Sequence, residues 1–335
     1  VVLPLACGPG ADRPADRVVD RQIEPLPLEL EWRRGGPVED SVLYQPWEVE
    51  VNAAQAVVLD KGGYRVRAFD TETGEVAWSV GRRGQGPMEF SSPADLFWDG
   101  QGWGIWDDRN ARLTYLDPGG GFRSEQVIQS DVMPSRFCAL PDGRLAAILH
   151  SDEEAAAIVD SDGRVTALQH WPWRELSDLY FLQRPARWAS DQQGACVGYL
   201  TLSTGFALFT TDGFENGHGY VETLHPPEAE AQEFSGGISV GLSEIPTLAV
   251  RDAFFYEGEL WLLFGGNTED ASRLLDIYNP TDGSYQRSYR LPFRDALQIA
   301  RNGDQLFVTR TQEGYPVLEA YRITEPPHNS TASTR

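Results

Sequence analysis

The segment from residue 170 to residue 181 holds the densest group of side chains that could bind a ligand. It contains four aromatic residues and an arginine, among them Trp171, Trp173, Arg174 and Tyr180. Aromatic faces and a guanidinium can stack on sugar rings or on a peptide, which predicts a binding platform here. The same aromatics could instead fold over the end of a strand and fill the core, and the sequence leaves both interpretations open.

Three arginines could bind a carboxylate. Arg82 and Arg83 lie in a glycine-rich loop, and Arg109 lies in a short polar segment. A guanidinium presents a planar fork of N–H donors that fits a carboxylate, so we include all three as ligand-binding candidates. In a chain this acidic, they could equally serve to neutralise neighbouring Asp and Glu side chains.

Oxygen ligands for a hard cation lie beside Arg109. Asp107, Asp108 and Asn110 are closely spaced, and Ca²⁺ prefers carboxylate and amide oxygens. Ca²⁺ is therefore a candidate cofactor. Further oxygens could come from Asp60, Asp152 and Asn267. The alternative is structural, because Asp and Asn also form Asx-type turns, in which Arg109 would hold the next repeat in place.

Signatures of other catalysts are weak. The five histidines show no metal-ligand spacing such as His-x-x-x-His. The sequence also lacks the Gly-x-Ser-x-Gly turn that carries the nucleophile of many hydrolases. We therefore predict no catalytic residue from the sequence.

The charge balance narrows the range of partners. The 335 residues include 50 Asp and Glu against 28 Lys and Arg, which gives a net charge of −22. Such a surface repels phosphate backbones and anionic headgroups, so nucleic acid and direct membrane contact are poor candidates. Hydrophobic residues make up 41% of the chain, enough to bury a core, and no apolar run is long enough to cross a membrane.

The first residues predict a location. Leu5, Ala6 and Cys7 end an apolar run, and they resemble the bacterial lipobox, in which the cysteine is lipidated; Pro4 departs from that motif. We therefore expect residues 1–7 to be the end of a signal peptide and Cys7 to be the lipid attachment site. Residues 8–27 are rich in Gly, Pro and charge, which predicts a flexible tether to the bacterial cell envelope, on its periplasmic or outer surface.

Short alternating runs between Gly-containing turns dominate the remaining chain and predict an all-β fold. The turns form two interleaved series. One series contains Gly74, Gly120, Gly163, Gly213 and Gly283, and the other contains Gly100, Gly143, Gly194, Gly258 and Gly303. Two tight hairpins roughly every 45 residues are typical of a four-stranded propeller blade.

The two series predict a six-bladed β-propeller of antiparallel blades over residues 28–324, followed by a disordered tail at 325–335. The predicted blades are 46–80, 94–128, 135–169, 186–224, 249–291 and 295–324. The last blade has three strands, so the alternating segment 28–33 is predicted to close the ring. We expect the short turns on one face of the disc and the long loops on the other, and we place candidate sites on the long-loop face.

Residues 81–90, Gly-Arg-Arg-Gly-Gln-Gly-Pro-Met-Glu-Phe, and residues 107–113, Asp-Asp-Arg-Asn-Ala-Arg-Leu, resemble phrases of bacterial six-bladed propeller lipoproteins related to the NHL repeat. The chain departs from the family at Met88, where glycine is usual, and at Leu113. The clear match covers roughly residues 60–122. The resemblance implies the fold and an envelope location, and it implies no particular activity.

Two cysteines lie within apolar strand-like runs. For Cys138 and Cys196 we expect buried free thiols. An intramolecular disulfide is the alternative, since the predicted compartment is oxidising.

The sequence thus favours an envelope-anchored, monomeric and non-catalytic module that binds a protein, peptide or glycan on its long-loop face. The main alternative is a calcium-dependent hydrolase or lactonase with carboxylates at the channel mouth, as in six-bladed calcium lactonases. A third interpretation is a structural subunit of a larger envelope complex.

Overall fold

The computed structural model describes residues 20–36, 43–151, 153–172, 185–190, 194–202, 205–222, 224, 228–234 and 237–324. Regular structure in these residues is β-strand, apart from a 3-10 helix at Lys61–Gly63. Within the described part of the chain, no helix has the length and apolar character needed to cross a membrane.

Six four-stranded antiparallel sheets form the blades of the propeller. Blade 1 contains β3 (Pro46–Val51), β4 (Gln55–Asp60), β5 (Arg65–Asp70) and β6 (Val76–Val80); blade 2 contains β7 (Pro93–Trp98), β8 (Trp103–Asp107), β9 (Arg112–Leu116) and β10 (Phe122–Val127). Blade 3 contains β11 (Pro134–Ala139), β12 (Leu145–Leu149), β13 (Ala156–Val159) and β14 (Val165–Gln169).

The second half of the ring repeats this plan. Blade 4 contains β15 (Ala186–Ser190), β16 (Cys196–Leu200), β17 (Phe206–Thr210) and β18 (Gly213–His218). A two-stranded hairpin, β19 (Ala229–Phe234) and β20 (Gly237–Leu242), separates it from the next blade. Blade 5 contains β21 (Val250–Tyr256), β22 (Glu259–Phe264), β23 (Leu274–Tyr278) and β24 (Tyr285–Arg290), and blade 6 contains β25 (Ala296–Asn302), β26 (Gln305–Gln312) and β27 (Tyr315–Ile323).

The first strands of the blades line the central channel. Each contacts the first strand of the next blade, in the cyclic order β3, β7, β11, β15, β21, β25 and back to β3. This confirms the predicted six-bladed propeller.

The ring is closed by the amino-terminal side of the chain, as predicted. Strand β2 (Leu28–Gly35) pairs antiparallel with β27 and completes blade 6. Its Trp32 lies against Phe307 of the same blade, and the indole N–H donates a 2.8 Å hydrogen bond to the carbonyl of Thr71 in blade 1. The closing strand therefore joins the last blade to the first.

The last residues of the predicted tether, which ends at residue 27, include a short strand. Strand β1 (Ile23–Pro25) pairs in parallel with β24 on the outer edge of blade 5. Arg21 forms ion pairs with Glu222 at 2.7 Å and Asp276 at 2.9 Å. The sequence missed this strand because three residues are too few to show an alternating pattern.

The first series of glycines marks turns on which a side chain of the preceding blade packs. A Cβ at Gly74 would lie 2.6 Å from the Trp32 ring, and one at Gly120 would lie 2.6 Å from the Trp78 ring. Both glycines also have positive φ, where other residues are strained. The glycine rhythm in the sequence therefore records contacts between neighbouring blades.

Residues 81–90, which carry the resemblance described above, lie in the connection between blade 1 and blade 2. Met88, where the propeller proteins that this segment resembles usually have glycine, has a φ of 58°. That value explains why glycine suits the position.

Apolar clusters fill the spaces between neighbouring blades all the way round the ring. The largest fully buried side chains include Trp103, Trp106 and Trp261. The core is therefore a set of wedges between blades, and the channel at the centre does not belong to it.

The expectation of free thiols at Cys138 and Cys196 was wrong, because the two residues form a disulfide. Cys138 lies on β11 of blade 3 and Cys196 on β16 of blade 4. They are 58 residues apart in the chain, and only the packing of blade 3 against blade 4 brings them together. A local reading of two apolar runs could not show this contact.

We predict that replacing both cysteines by alanine, as Cys138→Ala and Cys196→Ala, lowers the free energy of unfolding by about 4 kcal/mol, because the disulfide closes a long loop in the unfolded chain. Urea unfolding with and without reductant measures the loss. Cys7→Ala is the control and should unfold like the wild type. Three reactive thiols in the denatured, unreduced protein would contradict the pairing.

Candidate ligand site at the channel mouth

A cavity of about 730 Å³ opens at one end of the central channel. Its wall is formed where the first strands of blades 1 to 4 begin and their second strands end, together with Pro246 and Leu248 from the segment before blade 5. The loops between the second and third strands and the connections between blades leave the ring on this same side. The cavity therefore lies on the long-loop face, and we call it the mouth pocket.

Most of the wall of the mouth pocket is apolar. Met133, Leu149, Leu202 and Leu248 contribute to it. Ile245, three residues before Leu248, is 94% exposed. A ligand in this pocket can therefore bury an apolar group.

An indole surrounded by cations forms the polar part of the pocket. The Lys61 Nζ lies 4.5 Å from the centre of the Trp47 ring, and the guanidinium carbons of Arg136 and Arg187 each lie 5.7 Å from it. The Trp47 N–H donates a 3.0 Å hydrogen bond to the carbonyl of Ala94, which fixes the ring. Lys61 is the only lysine of the chain.

A ring of six polar side chains lies below the pocket, one from the first strand of each blade. Each occupies the equivalent register position in the pairing of the first strand with the second strand of its blade. The six residues are Glu48, Asp95, Arg136, Arg187, Asp252 and Gln298. In all blades except blade 4, a β-bulge precedes the polar residue. An extra residue re-aims the side chain that follows it, so the bulges help to turn this ring toward the axis.

Ion pairs hold the ring together. Arg136 lies 3.6 Å from both Glu48 and Asp95, and Arg187 lies 3.7 Å from both Glu48 and Asp252. Glu48 thus bridges the two arginines. These distances exceed those of hydrogen bonds, so the ion pairs leave N–H donors uncommitted.

Backbone and hydroxyl donors hold the other carboxylates. Asp95 accepts a 2.6 Å hydrogen bond from the Phe137 N–H, and Asp252 accepts one of 2.8 Å from the Ile299 N–H. The Tyr199 hydroxyl donates to Asp252 at 3.2 Å. Each carboxylate therefore also links its own blade to the following one.

Burial disfavours charge on several acids of the channel. It raises the pKa of Asp252 to about 7. Burial, together with the nearby Glu48 carboxylate, also raises the pKa of Asp95 and of Glu50 well above their usual range. In the wall of the pocket, burial and the neighbouring Arg136 lower the pKa of His150. Burial therefore reduces negative charge in the channel and positive charge on His150.

The channel is narrow below the ring. The space beside Glu48 and Asp252 measures about 20 Å³, which admits about one water molecule. The mouth pocket is therefore blind, and a ligand cannot pass through the disc.

The predicted calcium ligands have different roles. Both oxygens of Asp107 accept hydrogen bonds, from the N–H groups of Ser91 and Ser92 at 2.7 and 2.9 Å and from Asn110. This is the geometry expected of the structural alternative, an Asx-type turn. Asp108, by contrast, lines the mouth pocket. No three His, Cys, Asp or Glu side chains are grouped as a metal site in the described part of the chain.

The other oxygen candidates are also dispersed. Asp60 is buried and accepts hydrogen bonds from the backbone N–H groups of Tyr44 and Gln45, in the same way that Asp107 does in blade 2. Asn267 is exposed. Asp152 lies outside the described residues.

The three predicted arginines do not line the mouth pocket. Arg82 forms a 2.7 Å ion pair with Glu89, which fits the alternative that it neutralises a neighbouring acid. Arg83 lies over the Tyr64 ring at 5.6 Å, and Arg109 is exposed. The structure therefore does not bring them together as a clamp.

Trp171 lies in the core. Its side chain is 9% exposed and packs with Ile148, Ala155 and Leu200, with its ring 4.7 Å from that of Phe214. Trp173, Arg174 and Tyr180, as well as the lipid-attachment candidate Cys7, lie outside the described residues. The stacking platform and the lipid anchor therefore stay predictions.

Sequence reasoning missed Trp47, Lys61, Arg136 and Arg187, although a signal was present. Four blades begin with a proline two residues before the inward charge, in Pro46-Trp47-Glu48, Pro93-Ala94-Asp95, Pro134-Ser135-Arg136 and Pro185-Ala186-Arg187. Aligning the predicted blades on these prolines would have placed the four charges at one level of the channel.

The sequence matches no protein-family model and no curated protein. Among solved structures, a putative exported protein from Bacteroides fragilis is similar with a TM-score of 0.58 at 13% identity, covering 94% of this chain and 98% of that one. A DUF4221 protein from Bacteroides vulgatus gives a TM-score of 0.57 at 9% identity, covering 88% of this chain and 98% of that one.

A streptogramin B lyase gives a TM-score of 0.51 at 13% identity, covering 88% of this chain and 97% of that one. At such identities the likenesses show the fold alone. Fold and site together define a β-propeller with a blind pocket at one end of its channel. This protein is a six-bladed propeller whose pocket has mostly apolar walls and a floor of cations paired with acids.

We predict that Asp252 makes the stability of this protein depend on pH. Its pKa rises from 3.8 to about 7 on folding, so its contribution is greatest below about pH 4 and is lost as the pH rises to about 7. Relative to Asp252→Asn, the wild type should lose up to about 4 kcal/mol of unfolding free energy over this range. Urea unfolding at several pH values measures the difference.

The exposed Asp131 provides the control, since Asp131→Asn should keep the pH profile of the wild type. Identical profiles for Asp252→Asn and the wild type would contradict the burial argument.

We predict no calcium-specific stabilisation. Asp107 and Asn110 already use their side chains within the loop, whereas a cation present at 100 times its dissociation constant would add about 2.7 kcal/mol. Thermal unfolding in EDTA, in calcium and in magnesium tests this expectation. A rise in melting temperature with calcium alone, abolished by Asp108→Asn, would contradict this expectation and favour the alternative of a calcium-dependent hydrolase.

Proposed function

We propose that this protein is a non-catalytic recognition module of the bacterial envelope and that it takes one group of its ligand into the mouth pocket. The observation that carries the proposal is the blind cavity of about 730 Å³ on the long-loop face. Cavities of this size match the volume of ordinary ligand pockets. Apolar walls and a few fixed polar groups are also typical of such pockets.

The rigidity of the site supports recognition. Its polar groups start on the inner strands, and the ring of charges holds them from below through contacts between blades. A pocket formed in advance loses little conformational entropy when a ligand binds.

The envelope location is supported by residues and by a likeness. The lipobox-like Leu5-Ala6-Cys7 would supply a lipid anchor. The Bacteroides fragilis structure is described as that of a putative exported protein. An anchor of this kind holds the module at a surface where a protein, peptide or glycan is available to it.

Site-specific photo-crosslinking in bacterial cells tests the binding role. Met133 lies in the pocket wall and is 45% exposed, so a diazirine amino acid at this position should form a covalent adduct with the ligand. Phe122 is 51% exposed on the outer strand β10 and is the matched control. We expect an adduct from position 133 that is reduced at least tenfold by Trp47→Ala.

Equal labelling at both positions, or labelling at 133 that survives Trp47→Ala, would contradict the proposed site. Fractionation of the same cells tests the anchor. The protein should be found with the membranes, and Cys7→Ser should release it.

A further inference from the structure

Lys61 is a cation that forms no close ion pair among the described residues. No carboxylate oxygen of these residues lies within 4 Å of its Nζ, although Asp108 and Glu48 act on it from farther away, and its Nζ lies over the Trp47 ring. Burial lowers the pKa of Lys61, as expected for a charge that gives up solvent without gaining an ion pair. An anion placed beside it would restore the lost stabilisation.

The two arginines beside Lys61 have hydrogen-bond capacity to spare. Arg187 reaches its carboxylates only at 3.7 Å, and its buried Nη1 has no hydrogen-bond partner among the described atoms. Arg136 uses Nη1 for the Ala94 carbonyl and lies 3.6 Å from its acids. A buried guanidinium with unmet N–H groups binds a carboxylate strongly, since charge-assisted hydrogen bonds are the strongest of their kind.

The opposing charges at the mouth are fewer. Asp108 is the acid among the residues that line the pocket, against Lys61, Arg136 and Arg187. In the ring below, Glu48 faces Arg136 and Arg187 at 3.6 and 3.7 Å, and burial disfavours the charged forms of Asp95 and Asp252. The three cations therefore still outnumber Asp108 and Glu48. The pocket is therefore cationic inside a chain whose net charge is −22.

The surroundings restrict which anion fits. The acidic surface repels multiply charged ligands such as nucleotides or polyphosphates more strongly than it repels a monoanion. The apolar wall, with Leu202 and Leu248, accepts a hydrocarbon group next to the charge. The cations over Trp47 occupy the aromatic surface on which a sugar ring would stack. These features favour a single carboxylate attached to an apolar group.

We infer that the mouth pocket binds a carboxylate that carries an apolar neighbour, with the charge between Lys61, Arg136 and Arg187 and the apolar group against Leu202 and Leu248. The inference rests on the proposed function, because it names the ligand class of the same pocket. Two sources share this chemistry, namely a free acyl acid and the carboxyl terminus of a peptide that ends in an apolar residue.

Isothermal titration of the intact protein tests the class with defined probes. The probes are octanoate and the peptide acid N-acetyl-Ala-Leu, compared with octanamide, octylamine, N-acetyl-Ala-Leu amide and citrate. We expect at least one carboxylate to bind at least tenfold more tightly than its own amide, and both the amine and citrate to bind more weakly. The tighter carboxylate identifies the source.

Variants then place the charge. Lys61→Met should weaken carboxylate binding about tenfold, the effect of losing one charge-assisted hydrogen bond. Lys61→Arg should retain most of the affinity. Arg109→Met removes an equal charge from an exposed position on the same face and should have no effect.

Failure of this inference can be told apart from failure of the proposed function. If the amides bind as well as the acids and Trp47→Ala abolishes both, the pocket is a ligand site and the carboxylate inference is wrong. If no carboxylate binds, or if Lys61→Met binds like the wild type, the inference is also wrong. The crosslinking at position 133 then decides separately whether the pocket is a ligand site.

Discussion

Six inner strands converge on one axis, and the side chain at the matching level of each strand must share a space that water scarcely enters. Five of the six side chains at this level are ionisable, and a buried charge without a partner is costly. Glu48 meets the need from both sides, since it lies between Arg136 and Arg187. In blade order the six positions hold acid, acid, base, base, acid and glutamine, so Glu48 of blade 1 pairs with arginines from blades 3 and 4. The floor of the mouth pocket is the upper side of this arrangement.

A ring of this kind is seldom the most stable way to fill a channel. Well-packed apolar side chains often do as well as buried ion pairs or better. The ion pairs instead orient the site, because they fix two guanidinium groups at the end of the channel that is open to ligands. They also separate the mouth pocket from the opposite mouth, where Trp98, Tyr256 and Arg301 line a second cavity of about 500 Å³.

The architecture could be predicted because its determinants are local. Gly74 and Gly120 repeat because each turn receives a tryptophan from the preceding blade, and the alternation in residues 28–33 was sufficient to identify the strand that closes the ring. The site could not be predicted in the same way. Arg136 and Lys61 are far apart in sequence, and each looks ordinary in its own segment.

The sequence could not decide two further features for the same reason. The contact between Cys138 and Cys196 and the burial of Trp171 against Phe214 both depend on how blade 3 meets blade 4. The sequence analysis placed the candidate site residues in loops with many polar and aromatic side chains, whereas the pocket is formed mainly at the ends of strands. The way in which neighbouring blades pack decides which side chains meet. Sequence segments considered one at a time do not carry that information.

The path of the chain into the ring determines how it carries force. Moving from the amino-terminal side, the polypeptide reaches Arg21 and the short ladder of β1 with β24 before it reaches the closing strand β2. Tension applied from that side is thus borne first by the ion pairs of Arg21 with Glu222 and Asp276, which are partly shielded from water. If the protein were pulled by its amino-terminal segment, the ion pairs of Arg21 and the pairing of β1 with β24 would break first. Strand β2 would still hold the six blades together.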